Sequence, residues 1–271
     1  KPKEIGLWSK RDLSFINTID ALHGRGLKVM LKPHLWLSRG WRSNLSMSSQ
    51  KDWNLWFENY KRNILHYAEM ATETNTIVFC IGTELESSIA TQPQKWVELI
   101  QDIKKVYSGK LTYAANWNKE FEAVEFWSEL DYIGIQAYFP LTKKKNPNKL
   151  AIKEGWQTHI EKLKAFSNQY DKPILFTEIG YRSDASTTIK PWEWNSVSNL
   201  LFNKKSDKTQ QLAYEAMFES LWNEEWFAGC YFWQWDIKSS KEDAEESMDF
   251  SPRFKPAENV MAKWFGTTNV E

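Results

Sequence analysis

Two glutamates in this 271-residue chain come at the ends of strongly apolar segments. Glu84 follows residues 77–81 (IVFCI) after two small residues, and Glu178 directly follows residues 174–177 (ILFT). Burial disfavours a charged side chain, so a carboxylate is retained in such a place only with partners or a chemical task. A carboxyl that donates a proton and a carboxylate that attacks carbon, about 5.5 Å apart, together cleave a glycosidic bond with retention. The pair therefore indicates carboxylate acid/base chemistry.

A purely structural alternative is open for each glutamate. Either side chain could pair with a nearby cation, such as Arg182 or Lys32, and only close the end of the fold. Other catalytic motifs are absent: the sequence has no GxSxG elbow, no Walker loop, no GxGxxG after a strand and no CxxC. Carboxylate chemistry is therefore the main enzymatic option.

Segments with strand and helix patterns alternate along the chain. Continuous apolar runs predict strands at residues 27–32, 77–81, 111–115, 132–137, 174–177 and 229–233. Helical spacing predicts helices at residues 12–25, 52–72, 96–106, 121–130, 156–170, 210–226 and in a last segment ending near Gly266. This alternation predicts a parallel sheet covered by helices.

The number of predicted strands is two short of a complete barrel. A doubly wound open sheet would accommodate six strands, but a closed barrel brings carboxylates from non-adjacent strands together at one rim. We therefore predict an α/β fold, a (β/α)8 TIM-type barrel whose first two β-strands lie upstream of Lys1. Residues 1–271 are predicted to form a single catalytic barrel domain.

Composition restricts the possible partners. The 35 basic residues balance the 35 acidic ones, so no net charge attracts nucleic acid or anionic lipid, and no apolar run approaches the length of a membrane span. Cys80 and Cys230 lie in apolar runs, and no histidine has metal-ligand spacing, so we expect neither metal nor cofactor. The 16 tryptophans exceed what a core requires and suit stacking on sugars. We expect a monomer; the start at Lys1 indicates a processed terminus, and a secreted or periplasmic location is favoured over a cytoplasmic one.

Five segments, in order, resemble glycoside hydrolase family 113, a β-mannanase family of the clan A retaining barrels. They are residues 29–34 (VMLKPH), 81–84 (IGTE), 111–117 (LTYAANW), 131–139 (DYIGIQAYF) and 176–183 (FTEIGYRS). The likeness extends from about Leu13 to Trp235. It implies an acid/base on the fourth barrel strand and a nucleophile on the seventh, which correspond to Glu84 and Glu178.

The resemblance also implies supporting roles. Tyr138 would hydrogen-bond Glu178 and help to keep it ionised, although a rim tyrosine can also be satisfied by water. Many clan A members have Asn directly before the acid/base, where it holds the sugar 2-hydroxyl, whereas this chain has Thr83. That contact must be weaker or come from another residue, for which Asn116 is a candidate.

Further candidates for sugar binding follow the predicted strand ends. Lys32 and His34 could donate to hydroxyl groups, and Trp233 could form an apolar floor beneath the sugar. The aromatic loop after the first predicted strand could form a wall of a sugar cleft. Core packing, a structural histidine and a solvated loop are the corresponding structural alternatives. The full set of substrate-binding candidates is Lys32, His34, Trp36, Trp41, Arg42, Asn116, Trp117, Tyr138 and Trp233; Glu86 and Asp236 are expected to lie outside the chemistry.

The function predicted from these observations is a retaining endo-β-1,4-mannanase acting on oligo- or polysaccharides of the β-mannan type. The endo and mannan specificities depend on the resemblance alone. Two alternatives stay open: an exo-acting β-glycosidase or transglycosylase on another β-glycan, and a carbohydrate-binding barrel that has lost catalysis.

Overall fold

Strands and helices alternate in the computed structural model, which describes residues 9–194 and 203–266. The described residues contain six strands: β1 Met30–Leu31, β2 Val78–Thr83, β3 Lys110–Asn116, β4 Tyr132–Gln136, β5 Ile174–Ile179 and β6 Phe227–Phe232. Each strand neighbours the next one along the chain, in the order β1-β2-β3-β4-β5-β6. The predicted α/β class is confirmed. The eight-strand barrel and the single catalytic domain stay predictions.

The chain divides into two compact units, Lys1–Gly134 and Ile135–Glu271. In the first unit β1 pairs with β2 and β2 with β3, both in parallel. The register places Met30 opposite Val78, and Val78 opposite Lys110. The helices of this unit are α1 Lys10–His23, α2 Gln50–Glu73, α3 Glu86–Thr91, α4 Pro93–Lys104 and α5 Glu120–Ala123, with 3-10 turns at Arg42–Asn44 and Trp127–Glu129.

Helix starts in the first unit follow from capping residues. Ser49 precedes α2, and its hydroxyl accepts a hydrogen bond from the Asp52 N–H at 3.2 Å. Pro93 occupies the first turn of α4, where its missing N–H leaves no helical bond unmade.

The core of the first unit is built around Trp96, which is fully buried. Its ring meets Phe57 edge-on and stacks on Phe126, with centroids 5.8 and 5.7 Å away. Gly82 of β2 lies against the same ring, because a Cβ there would come within 2.8 Å of Trp96 Cη2. Helix α4 and strand β2 therefore pack closely just before the chain reaches Glu84.

The second unit also contains parallel strands and a buried tryptophan that packs against one of them. Strands β5 and β6 pair in parallel, with Ile174 opposite Phe227. Buried Trp156 stacks on Phe176 of β5 with centroids 6.0 Å apart. The helices among the described residues of this unit are α6 Lys149–Tyr170, α7 Asp207–Leu221, α8 Lys241–Glu246 and α9 Pro256–Gly266.

Several predicted boundaries were wrong. Strand β1 has two residues instead of six, and the single helix predicted at 121–130 is interrupted because Val124 is extended, with φ −73° and ψ 117°. Helix α6 begins at Lys149 instead of residue 156, because the Asn148 side chain caps it. Helices α3 and α8 were not predicted. None of the helices in the described ranges combines the length and apolarity needed to cross a lipid bilayer.

Candidate active site

Glu84 lies directly after Thr83, the last residue of β2, and is 4% exposed. Its φ of +48° lies in the left-handed region, which costs a non-glycine residue on the order of 1 kcal/mol or more. Hydrogen bonds on both sides hold this conformation. The Glu84 N–H donates to the Ala114 carbonyl at 2.9 Å, and the Ser43 hydroxyl donates to the Glu84 carbonyl at 3.0 Å. These two hydrogen bonds therefore fix the backbone from which the Glu84 carboxyl group extends.

Both carboxylate oxygens of Glu84 have a donor in the first unit. Arg42 Nη2 lies 2.7 Å from Oε2, and Asn116 Nδ2 donates to Oε1 at 3.0 Å. Arg42 is itself 6% exposed, so the ion pair is shielded from solvent. The arginine partner required by the structural alternative exists, but it comes from the predicted aromatic loop. The Arg42–Glu84 ion pair is compatible with both a structural and a catalytic glutamate.

The loop that carries Arg42 presents two aromatic rings. The guanidinium carbon lies 5.6 Å from the Trp36 ring centre and 4.5 Å from that of Trp41, within cation–π range. Trp36 is 70% exposed and stacks with His34 at 6.3 Å. The exposed rings agree with a cleft wall, whereas Arg42 is directed at Glu84. Sugar binding by these residues stays a prediction.

A third carboxyl, absent from the sequence-based set, lies beside this cluster. Glu120 at the start of α5 is fully buried. Its Oε1 accepts from the Tyr113 hydroxyl at 2.6 Å, and its Oε2 accepts from the Asn116 N–H at 2.8 Å. Burial raises the pKa of Glu120 to about 8, against the opposing effect of these two donors. In the sequence, Glu120 ends the polar run after Trp117 and has the pattern of a surface residue.

Glu178 belongs to β5 itself and is 9% exposed. The Tyr138 hydroxyl donates to Glu178 Oε1 at 2.5 Å, which is the hydrogen bond expected from the sequence. The Ala137 N–H donates to the Glu178 carbonyl at 2.6 Å, so strand hydrogen bonding fixes the backbone. The Tyr138 hydroxyl therefore fixes the direction of the Glu178 carboxylate.

The chain after Glu178 packs closely against the segment after β6. A Cβ on Gly180 would lie 2.0 Å from the Trp233 carbonyl oxygen, so only glycine fits. The Trp233 N–H donates to the Ile179 carbonyl at 2.8 Å, and the Trp233–Gln234 peptide bond is cis. Trp233 is half-buried and meets Trp194 edge-on at 5.9 Å. The backbone at Trp233, the predicted sugar floor, is therefore positioned by Ile179 and Gly180 of the second unit.

The other named residues have local roles or stay untested as ligands. Arg182, the suggested partner of Glu178, pairs with Asp184 through Nε at 2.6 Å, and both are buried. Asp236 accepts from the Lys238 N–H at 2.8 Å, and its hydrogen bond from Ser239 lowers the pKa of Asp236. Lys32, His34 and Trp117 are half-buried, and Glu86 is exposed.

Comparisons with known proteins identify the family of this chain. Residues 8–255 match the model of Glycoside Hydrolase Family 113. A solved complex of a GH113 β-1,4-mannanase is 28% identical and has a TM-score of 0.81; the alignment covers 94% of this chain and 79% of that one. The GH113 β-mannanase of Alicyclobacillus acidocaldarius, in complex with ManMIm, is 29% identical with a TM-score of 0.82, covering 94% and 78%.

More distant structures share only the fold. A β-glucuronidase of Ruminococcus gnavus is 16% identical with a TM-score of 0.53, and the alignment covers 75% of this chain and 36% of that one. The search of curated proteins finds no match. The family match spans most of the chain, including Glu84 and Glu178, and the chain belongs to Glycoside Hydrolase Family 113.

Proposed function

We propose that this glycoside hydrolase is a retaining endo-β-1,4-mannanase in which Glu178 is the nucleophile and Glu84 the acid/base. The observation that carries the proposal is that each glutamate is buried at the carboxyl end of a parallel strand with donors on its carboxylate. Family membership supports hydrolysis of a glycoside, and the mannanases at 28–29% identity support mannan as the substrate.

The proposed reaction has two displacements. In the first, a Glu178 oxygen attacks the anomeric carbon while the Glu84 carboxyl gives its proton to the departing oxygen. In the second, the Glu84 carboxylate takes a proton from water, and the resulting oxygen replaces Glu178 on the same carbon. The sugar leaves with its original configuration, and both glutamates return to their starting states.

Each glutamate has contacts that suit its proposed step. Arg42 and Asn116 fix the direction of the Glu84 carboxyl, which must reach a leaving oxygen and later a water molecule. The Tyr138 hydroxyl holds one oxygen of the Glu178 carboxylate and so fixes the direction of the group that attacks the anomeric carbon. The mechanism requires the two carboxyl groups to lie about 5–5.5 Å apart on the bound sugar.

The test is hydrolysis of β-1,4-mannan, β-1,4-glucan and β-1,4-xylan, with the first product followed by ¹H NMR. We expect activity on mannan and a β-anomer that appears before mutarotation. Activity only on glucan would remove the mannanase assignment and keep the mechanism. An α-anomer as first product would exclude the double displacement.

Digestion of reduced mannohexaose separates endo from exo action. An endo enzyme releases internal products of several lengths from the start, whereas an exo enzyme releases one product from one end. The exposed rings of Trp36 and Trp41 would also suit a non-catalytic sugar-binding barrel. Mannohexaose binding in calorimetry without any cleavage would favour that function.

A further inference from the structure

The backbone after Glu84 ends in a hydrogen bond to a buried tyrosine. The Leu85 N–H donates to the Tyr113 oxygen at 2.6 Å, and the Tyr113 hydroxyl donates to Glu120 Oε1 at 2.6 Å. Leu85, Tyr113 and Glu120 are all at most 1% exposed. This connection runs from Glu120 to the residue that follows the strained Glu84 backbone.

A second connection runs from the same carboxyl to the Glu84 side chain. Glu120 Oε2 accepts from the Asn116 N–H at 2.8 Å, and Asn116 Nδ2 donates to Glu84 Oε1 at 3.0 Å. The Asn116 amide oxygen accepts from the Asn118 N–H at 2.9 Å, so its nitrogen is left to face Glu84. Both the backbone and the carboxyl of Glu84 are therefore held, through one intermediate residue each, by one buried group.

We propose that Glu120 is a positioning residue for the acid/base, holding the Glu84 backbone through Tyr113 and the Glu84 carboxyl through Asn116. This inference rests on the proposed function of Glu84. A fully buried carboxyl is costly to keep unless its contacts are needed, and both contacts of Glu120 lead to the same neighbour. The pKa of Glu120, raised to about 8 mainly by burial and further by Glu84 and Glu86, accords with a buried group held for its geometry.

The role predicts a selective kinetic defect. Misplacing an acid/base slows the first step only for substrates whose leaving group needs a proton. For Glu120→Met, which removes both acceptors at similar volume, kcat/KM on mannohexaose should fall about tenfold to a hundredfold. On 2,4-dinitrophenyl β-mannobioside, kcat/KM should stay within about threefold, because its leaving group departs without help from a general acid. Azide, which needs no general base, should restore kcat on the same substrate.

Two further variants keep the test decisive if Glu120→Met does not fold. Tyr113→Phe removes only the connection to Leu85 and should give a weaker defect of the same kind. Glu120→Gln keeps an acceptor for the Asn116 N–H and should recover most of the activity on mannohexaose. Asp12→Asn is the structural control: Asp12 is a buried carboxylate of the α1 capping box, accepting from the Ser9 N–H, so this variant should lose thermal stability without changing the ratio of the two activities.

A Glu84→Ala arm separates this inference from the proposed function. If Glu84→Ala lacks the selective loss and the azide rescue, Glu84 is not the acid/base, and the proposed function fails. If Glu84→Ala shows both, but folded Glu120→Met and Tyr113→Phe lower the two activities equally or not at all, the positioning role of Glu120 is wrong.

Discussion

The carboxyl groups of Glu84 and Glu178 are positioned in two different ways. Glu178 is a regular residue of β5, strand hydrogen bonding fixes its backbone, and the Tyr138 hydroxyl directs its side chain. Glu84 lies beyond β2 with a positive φ, and side chains of Ser43 and Tyr113 hold the backbone around it. Outside the strand, side chains must hold the backbone that carries the carboxyl group, whereas inside it the hydrogen bonds of the sheet do so.

The sharpest test of this contrast is the loss of each carboxylate. Glu178→Ala should lower kcat/KM by about 10⁴-fold or more on every substrate, because no covalent intermediate can form. Glu84→Ala should lower it by about 10²–10⁴-fold on mannohexaose and much less on the dinitrophenyl glycoside. Steady-state kinetics on both substrates measures the difference. Equal losses for the two variants on both substrates would remove the distinction between the sites.

The ion pair of Glu84 should make its region sensitive to charge. Arg42→Met leaves a buried carboxylate without its cation, which costs about 3–5 kcal/mol of unfolding free energy. Lys95→Met, which breaks the exposed pair with Glu98, should cost less than about 1 kcal/mol and is the matched control. Urea denaturation gives both values. If the two variants lose the same small amount, Arg42 is not a support of the buried site.

Stability near Glu84 should also depend on pH through Glu120. A carboxyl whose pKa rises from 4.5 to about 8 on folding binds more protons in the folded state. Its contribution is complete below about pH 4.5 and is lost as pH rises through 8, by on the order of a few kcal/mol. Glu120→Gln removes this dependence, so its melting temperature relative to the unaltered protein should increase from pH 5 to pH 8.5. A difference that is constant over this range would contradict the prediction.

The smallest effect is expected at Tyr138. Tyr138→Phe removes one donor to Glu178 while the strand keeps the backbone in place, so about 1–2 kcal/mol of stability should be lost. Its kcat should fall on both substrates alike, because the nucleophile serves every leaving group. Tyr107→Phe, which removes a buried hydroxyl bond to the Thr76 carbonyl, should cost similar stability and no activity. An unchanged kcat in Tyr138→Phe would show that Tyr138 does not position the nucleophile Glu178.

The sequence predicts the parts of this protein that depend on local pattern. Apolar runs located the six strands, and the residues at their ends included Glu84, Glu178, Asn116 and Tyr138. Contacts between distant residues were not predictable from local pattern, and the Tyr138–Glu178 hydrogen bond was expected only from the family resemblance. Arg42 reaches Glu84 from a loop with no periodic pattern, and Glu120 was missed because a glutamate in a polar turn reads as exposed.

The predicted helix boundaries were wrong where individual residues determine where a helix begins or ends. The Asn148 cap starts α6 earlier than its apolar pattern does, and Val124 interrupts a helix that spacing alone would continue. Positive φ values, as at Glu84, leave no trace in residue type unless glycine is present.

Trapping the covalent intermediate tests whether Glu178 is the nucleophile. The protein would be incubated with 2-deoxy-2-fluoro-β-mannosyl fluoride, which forms a glycosyl-enzyme quickly. Because this intermediate is hydrolysed only slowly, it accumulates and can be located by digestion and peptide mass spectrometry. We expect one added fluorosugar per chain, attached to Glu178. A label on Glu84 or on another residue, or turnover without any label, would contradict this assignment.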